Sequence, residues 1–248
     1  MQSPDIFKDD EAYYADRSYL SNSSLKLLRE SPTKFKLWSD GKWTYPSASH
    51  FDIGTALHAL FLEGRDSTLE WSGVRRGKDY ESFCQENNSK IILNSRDYDL
   101  VHSMNDKLNR VPEVNEIMTD HWFPELPAVM EYDGLKLKGK ADAIVEHWDG
   151  RKYIVDLKTT MKSMEDFKKS ARWMLYNQQA ALYKSLFEAD EFYFLVVQKE
   201  FPYEVGIFKA SDQFLESGYN ELHHSIAMYH HYFTNGNYKP FSAYVDEI

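Results

Sequence analysis

The sequence has a single cysteine, Cys84, in 248 residues. One cysteine excludes a disulfide within the chain, a four-cysteine zinc site and a four-cysteine iron–sulfur cluster. The sequence therefore predicts neither a disulfide-stabilised fold nor an iron–sulfur cofactor, and we interpret Cys84 as a structural residue.

Long apolar runs are equally absent. No segment approaches the ~18 apolar residues that a membrane-spanning helix requires, and the first residues lack the basic region and apolar run of a secretory signal. The sequence also contains no internal repeat, low-complexity tract or long Pro/Gly/Ser linker. These absences predict a cytosolic protein without a membrane partner and with one domain over residues 1–248.

Basic residues are in the minority, with 29 Lys and Arg against 39 Asp and Glu. Phosphate contacts supply most of the non-specific affinity for nucleic acid, so a protein that coats nucleic acid is usually basic. A net charge of −10 counts against such coating, but not against an enzyme with a local basic cleft. Residues 134–172 hold ten basic and six acidic side chains, which fits either such a cleft or a solvated surface.

Hydrophobic residues make up 42% of the chain, which is typical of a globular protein. Apolar periodicity predicts helices over residues 51–63 and 95–110, and a short helix over 24–38 that Pro32 interrupts or restarts. Residues 64–93 are polar and predict an irregular segment.

The pattern changes in the second half of the chain. It predicts strands over 128–132, 135–147 and 152–159, a helix over 172–188, strands over 191–198 and 203–209 and a closing helix over 212–233. This order indicates an α/β fold in which helices flank a mixed sheet. We expect a core over about residues 50–210, an N-terminal helical part over 18–45 and a C-terminal helix over 211–235.

The hairpin between the second and third of these strands carries the candidate chemistry. Asp156 and Lys158 are two residues apart on a strand, so their side chains leave the same face. A two-residue turn would place Asp142 on the other face. A three-residue loop over 148–150, with Gly150 in the left-handed conformation, places Asp142 opposite Asp156 instead.

Two opposed carboxylates repel each other unless a cation lies between them. Clustered oxygen ligands suit Mg²⁺ or Mn²⁺, and Lys158 beside such an ion would stabilise the charge that develops on a phosphate during hydrolysis. The alternative is an exposed strand with ordinary cross-strand charges. The spacing alone does not decide between the two interpretations.

Three motifs elsewhere accompany the hairpin: GTALH over 54–58, QAALY over 179–183 and YLSNSSLKLLRESPTKF over 19–35. Taken alone, His58 is an ordinary core histidine and Gln179 and Tyr183 are ordinary helix residues. Taken with Asp142 and the Asp-Leu-Lys triplet over 156–158, the motifs resemble the PD-(D/E)XK nuclease superfamily. The order and spacing are closest to its RecB-like and exonuclease VIII-like branches.

The resemblance implies a core of one helix, three strands, a helix and a strand, and a role for each matching residue. The implied metal ligands are His58, Asp142, Asp156 and the carbonyl of Leu157, with Mg²⁺ as the ion and Mn²⁺ as its substitute. The implied catalytic residues are Asp142, Asp156, Lys158, Gln179 and Tyr183. Glu125 or Glu131 is a candidate ligand for a second ion.

Other residues are candidates for contact with the substrate. These are Arg75, Arg76, Lys78, Ser21 and Ser24. For the three basic residues a solvated loop is the alternative, and for the two serines the alternative is helix capping. The histidines of the closing helix, His223, His224, His230 and His231, match no motif, and we expect them on the surface or facing a partner.

The resemblance further implies a metal-dependent deoxyribonuclease. The favoured activity is an exonuclease on double-stranded DNA ends, 5′ to 3′, in phage-type recombination or repair, in the cytosol of a bacterium or a phage-infected host. Its partners would be DNA, a single-strand annealing protein and copies of itself in a ring. The alternatives are an endonuclease, a nuclease that prefers single strands, and a DNA-binding subunit that does not cut.

Overall fold

The computed structural model describes residues 7, 9–45, 49–118 and 121–240, with the backbone only at 49–51. The predicted domain limits at residues 1 and 248 lie outside this part. The described helices are α1 Asp10–Ala15, α2 Asn22–Glu30, α3 Pro32–Ser39, α4 Ser49–Phe61, α5 Lys78–Glu86, α6 Ser95–Arg110, α7 Pro112–Ile117, α8 Met164–Ser170, α9 Tyr176–Phe187 and α10 Asp212–Tyr229. A π-helical turn, His230–Thr234, continues α10.

The described strands form two sheets. The strands are β1 Thr68–Glu70, β2 Ile91–Leu93, β3 Trp122–Tyr132, β4 Leu135–Glu146, β5 Lys152–Thr160, β6 Glu191–Gln198 and β7 Val205–Lys209. The larger sheet has the order β3-β4-β5-β6-β7, and β1 pairs with β2. Strands β5 and β6 are parallel, with α8 and α9 between them in the chain, and the other neighbours in the larger sheet are antiparallel. The predicted α/β fold with a mixed sheet flanked by helices is confirmed.

Two hydrophobic clusters cover the two sides of the larger sheet. The first packs α2, α3, α9 and α10 against buried residues such as Ile144, Ile154 and Phe192. The second packs α4, α6 and α7 against residues such as Val145 and Val155. Neighbouring residues of a strand point to opposite sides, so each central strand supplies both clusters. The sheet is therefore a buried middle layer, as the nearly continuous apolar runs of β5 and β6 require.

The hairpin of β4 and β5 adopts the predicted three-residue loop. His147 and Arg151 close it with a 2.9 Å hydrogen bond from the N–H of His147 to the Arg151 carbonyl, and Gly150 has a φ of +86°. The ladder pairs Ala143 with Val155 and ends there, one residue before Asp142 and Asp156. The predicted register is therefore correct, while the last expected pair is not part of the ladder.

Four predicted elements need correction. Residues 64–93, expected to be irregular, contain β1, α5 and β2. The helix expected over 172–188 begins only at Tyr176, because Leu175 adopts a left-handed conformation (φ +55°) and α9 starts after it. Strand β3 begins six residues before the predicted start at residue 128, and α1 was not predicted. Short elements and strands that contain proline, such as β3 with Pro124 and Pro127, carry weak periodic signals.

The N-terminal helices start at predicted breaks. Ser31 is the N-cap of α3 and Pro32 its first residue, so proline restarts the helix here. Ser21 caps α2, where its side chain accepts the N–H of Ser24 while the Ser24 hydroxyl accepts the N–H of Ser21. Within the described residues, no helix is long and apolar enough to cross a membrane.

Candidate active site

Three side chains from three elements meet at one edge of the β3–β4 pair. His58 comes from α4, Glu125 from β3 and Asp142 from β4, and one ligand atom of each lies within 4.8 Å of the others. Nδ1 of His58 is 3.8 Å from Oε1 of Glu125 and 3.7 Å from Oδ2 of Asp142. Each of the three side chains keeps 16% to 26% of its surface exposed. An ion with its water ligands can therefore reach this group, which we call the metal group.

Glu125 reaches the metal group through an unusual backbone conformation. Its φ is +53°, which costs about 1–2 kcal/mol in a residue with a Cβ atom. It lies between Pro124 and Leu126, whose partners in β4 are Ala143 and Ala141, so Glu125 stands opposite Asp142. The left-handed conformation thus brings a second carboxylate to the place where β4 stops pairing with β5.

The backbone of Leu157 connects the metal group to β5. Its N–H donates a 2.8 Å hydrogen bond to Oδ2 of Asp142, and its carbonyl accepts a 2.9 Å hydrogen bond from Nε2 of His58. A histidine that binds a metal commonly donates its other ring N–H to a carbonyl in this way. The Leu157 carbonyl, expected to be a metal ligand, here orients the imidazole so that Nδ1 faces the carboxylates.

Asp156 lies beside the metal group and not within it. Its side chain is fully buried, with Oδ1 accepting a 2.6 Å hydrogen bond from Nε2 of Gln179 and Oδ2 at 2.5 Å from Nζ of Lys158. Lys158 in turn keeps 21% of its side chain exposed. Asp142 and Asp156 thus have different partners: Asp142 faces His58 and accepts the Leu157 N–H, whereas Asp156 contacts Gln179 and Lys158.

The charges of these side chains depend on one another. Burial alone would lower the pKa of His58, but Asp142 and Glu125 raise it to about 9. Burial would likewise raise the pKa of Glu125, but His58 and Lys140 hold it below its usual value. Burial opposes a charge on Lys158 as well, yet the carboxylates of Asp156 and Asp142 raise the pKa of its ammonium group above the ordinary range. The site is therefore an array of paired charges.

Tyr183 follows Gln179 by one helical turn and packs against β4. A Cβ atom at Gly139 would lie 2.7 Å from Leu186 and 2.9 Å from the ring of Tyr183. Burial raises the pKa of Tyr183 well above its usual value, and Tyr13 and the charges of Asp156 and Asp142 add to this shift. The phenol is thus a neutral group close to the carboxylates, and Gly139 provides the space for it.

The donor set fits a divalent metal ion. One imidazole nitrogen and two carboxylate oxygens converge, and such a mixed set binds Mg²⁺, Mn²⁺ and similar ions. Three protein ligands leave coordination positions on the ion for water and for a phosphate oxygen. The arrangement is therefore capable of metal-assisted hydrolysis.

The site and the fold agree with the comparison of the sequence with protein families. Residues 21–243 match the family described as "PDDEXK-like domain of unknown function (DUF3799)". The chain belongs to this family. No curated protein matches the sequence.

Solved structures match the DUF3799 chain over most of its length. One is the crystal structure of a "Putative exonuclease" from Eubacterium rectale, with a TM-score of 0.66 and 16% identity over 93% of this chain and 88% of that one. Another, of SSO0001, covers 73% of this chain and 85% of that one at 17% identity, with a TM-score of 0.35. The first shows that the arrangement of helices and strands is shared over nearly the whole chain.

Several candidate residues of the DUF3799 chain lie outside the site. Glu131 is exposed and pairs with Lys136 at the far end of the β3–β4 ladder, so of the two glutamates only Glu125 joins the metal group. Ser24 is fully buried and forms the cap described above, which corrects its assignment as a substrate contact. Ser21 is half-buried and serves the same cap.

The basic loop residues are exposed. Arg76 lies on the surface between β1 and α5, and Lys78 is the exposed first residue of α5. The guanidinium of Arg75 donates to the Tyr80 hydroxyl and the Ile92 carbonyl. Their contact with substrate stays a prediction.

A surface cavity of about 680 Å³ is lined by residues of the closing helix and the β3–β4 turn, namely Tyr132, Asp133, His223, Ile226, Ala227, His230, His231 and Asn235. The metal group does not contribute to it.

Sequence reasoning missed two residues near Lys158. The centre of the Tyr176 ring is 5.5 Å from Nζ of Lys158, and Nζ of Lys26 is 5.9 Å from the centre of the same ring. Lys26 lies within the 19–35 motif, two positions after Ser24, and Tyr176 lies three positions before Gln179. Their proximity to Lys158 arises only when α2 and α9 pack together.

Proposed function

We propose that the protein is a metal-dependent deoxyribonuclease that hydrolyses phosphodiester bonds of DNA. The observation that carries this proposal is the metal group of His58, Glu125 and Asp142, joined through Leu157 to the strand that bears Asp156 and Lys158. Membership of a PDDEXK-like family supports the same conclusion.

The side chains have distinct roles in this proposal. His58 and Asp142 are ligands that both the geometry and the motif resemblance support. Glu125 is supported by the geometry, and Asp156 and the Leu157 carbonyl by the resemblance. A bound Mg²⁺ or Mn²⁺ supplies a water of lowered pKa and offsets the charge of the phosphate.

The remaining chemistry belongs to the chain itself. Lys158 faces the reacting phosphate with its ammonium group and stabilises the negative charge that grows there. Gln179 holds the Asp156 carboxylate in place through its 2.6 Å hydrogen bond, which orients the partner of Lys158. Tyr183 supports this arrangement from the next turn of α9.

The favoured substrate is the end of double-stranded DNA, cut 5′ to 3′ as an exonuclease in phage-type recombination or repair. The motif resemblance to exonuclease VIII-like nucleases supports this choice, as does the shared fold with the structure described as a "Putative exonuclease". A single-strand annealing protein, ring-shaped assembly and a location in the bacterial or phage-infected cytosol complete the proposal.

The proposal is tested with duplex DNA labelled at its 5′ or 3′ ends and with closed circular DNA, in Mg²⁺, Mn²⁺ or EDTA. We expect the linear DNA to be digested and the closed circular DNA to stay intact. Digestion should require a metal ion, and mononucleotides or short products should be released from the 5′ ends. Lys158→Ala should reduce the rate at least about 100-fold, whereas Lys162→Ala, a change at an exposed lysine, should not.

Other outcomes are equally informative. Activity that survives both EDTA and Lys158→Ala contradicts the mechanism. Cleavage of closed circles shows an endonuclease with the same site, and binding of DNA without any cleavage shows a subunit that has lost the activity.

A further inference from the structure

Lys26 on α2 presents a cation next to the candidate active site without a carboxylate partner. Its Nζ donates a 2.9 Å hydrogen bond to the carbonyl of Met174, in the turn that precedes α9. In the described part of the chain, no carboxylate oxygen lies within 4.0 Å of this Nζ. A half-buried ammonium group satisfied by one carbonyl retains the capacity to bind an anion.

The ring of Tyr176 connects Lys26 to the catalytic lysine. Nζ of Lys26 is 5.9 Å from the centre of this ring, and Nζ of Lys158 is 5.5 Å from it. Two ammonium groups thus face one aromatic ring from a short distance. Burial, and then the like charge of Lys158, lower the pKa of Lys26.

Helix packing holds Lys26 in this position. One turn before Lys26, the Asn22 side chain accepts a 2.9 Å hydrogen bond from Gln178 of α9. The same glutamine accepts a 2.7 Å hydrogen bond from Ser225 of α10, and Gln178 and Ser225 are both fully buried. A buried polar network of this kind fixes the relative placement of helices. The helix that carries Lys26 is therefore held against α9, so the backbone position of Lys26 does not depend on a mobile loop.

We propose that Lys26 binds a phosphate of the DNA strand next to the one that is cut, so that Lys26 and Lys158 hold consecutive phosphates on either side of Tyr176. This inference rests on the proposed function. An anionic strand next to the two cations offsets their like charge and gives Lys26 an anionic partner that the described residues do not supply. Lys26 is then a substrate-positioning residue.

A purely structural role would be different. Lys26 would then serve only to satisfy the Met174 carbonyl beside the left-handed Leu175. Its loss would lower the stability of the protein and leave the salt dependence of DNA binding unchanged, because a phosphate contact releases counterions and a contact with a carbonyl does not.

The test compares Lys26→Met, which keeps the stem and removes the charge, with Lys26→Arg and with the control Lys34→Met. Lys34 is an exposed lysine of α3 that pairs with Glu30, so its loss changes the net charge equally. KM and kcat are measured on linear duplex DNA with Mg²⁺. The affinity for the same DNA is measured at several salt concentrations, in chains that carry each change together with Asp142→Asn. Thermal unfolding of each variant is recorded as well.

We expect Lys26→Met to raise KM about tenfold, with a smaller change in kcat, and to reduce the slope of log affinity against log salt by about one. Lys26→Arg should restore most of the affinity, and Lys34→Met should behave as the wild-type chain. A slope and a KM for Lys26→Met equal to those of Lys34→Met overturn the inference, whether or not the unfolding temperature falls.

Failure of the proposed function gives a different result. A wild-type chain that binds duplex DNA without cutting it contradicts the nuclease, while the comparison of salt slopes still decides the role of Lys26. A wild-type chain that neither binds nor cuts DNA overturns both.

Discussion

Glu125 and Lys140 form an ion pair between neighbouring strands, with 2.5 Å between Oε2 and Nζ. The other oxygen of Glu125, Oε1, faces Nδ1 of His58. The lysine thus engages one oxygen of the carboxylate and leaves the second in the metal group. It also keeps the carboxylate charged, because Lys140 and His58 together lower the pKa of Glu125 against the effect of burial.

Because one oxygen of Glu125 remains in the metal group, our first prediction is that Glu125 is a metal ligand. Glu125→Gln should weaken Mn²⁺ binding at least about tenfold, because the amide carries no charge and Lys140 keeps only one of its two carboxylate partners, Asp10. The matched control is Glu131→Gln on the same strand, at an exposed position outside the metal group. Isothermal titration calorimetry with Mn²⁺ measures both affinities.

An unchanged Mn²⁺ affinity in Glu125→Gln, with a loss in Asp142→Asn, would restrict the ligands to those implied by the motif resemblance. Glu125 would then serve only to neutralise Lys140. Equal losses in Glu125→Gln and Glu131→Gln would show a general charge effect and contradict a specific role for Glu125.

A second prediction concerns the pH dependence of stability without metal. The pKa of His58 is about 9 in the folded chain, whereas the ordinary pKa of histidine is 6.5. A raised pKa stabilises the folded state fully below pH 6.5, and this contribution is lost as the pH rises through 9. The shift corresponds to about 3 kcal/mol. In EDTA, the free energy of unfolding of the wild-type chain should therefore fall over this window relative to that of His58→Gln.

Metal binding should follow the opposite trend in the same window. Nδ1 of His58 must lose its proton to bind an ion, so the Mn²⁺ affinity of the wild-type chain should rise between pH 6.5 and 9. Urea unfolding at several pH values provides the free energies. A difference between wild type and His58→Gln that does not change with pH would contradict the raised pKa.

A third prediction compares Gly139 on β4 with Gly54 of the GTALH motif. Gly139→Ala should destabilise the chain by about 1–3 kcal/mol, because its Cβ would meet Leu186 at 2.7 Å and Tyr183 at 2.9 Å. Gly54→Ala is the control, since no described atom lies within 4 Å of its Cβ. Alanine is preferred in a helix by about 0.5–1 kcal/mol, so Gly54→Ala should be neutral or stabilising. Equal free energies of unfolding for the two variants would show that Tyr183 and Leu186 can move aside.

The hairpin shows how much of the site can be predicted from the sequence. The loop at Gly150, the register that follows from it and the common face of Asp156 and Lys158 all depend on residues close together in the chain. Local backbone preferences and the two-residue period of a strand determine them. The helix break at Pro32 was predicted for the same reason.

Other parts of the site depend on contacts between distant residues. The hydrogen bond of His58 to the Leu157 carbonyl spans 99 residues and that of Lys26 to Met174 spans 148. No periodic pattern indicates such pairs. The motif resemblance predicted that His58 lies near the hairpin. It did not indicate that Leu157 would orient the imidazole, nor that Lys26 would face Tyr176.

The sequence by itself determined the α/β architecture, the hairpin register and the residue types that can bind a metal ion. These follow from local propensity and from the alternation of apolar residues. Only the tertiary structure decided which carboxylates share the metal group. Glu125, with its left-handed backbone, lies beside His58, while Asp156 is buried in contact with Gln179 and Lys158. That choice depends on how α4 and α9 pack on opposite sides of the sheet, and packing is a property of the whole chain.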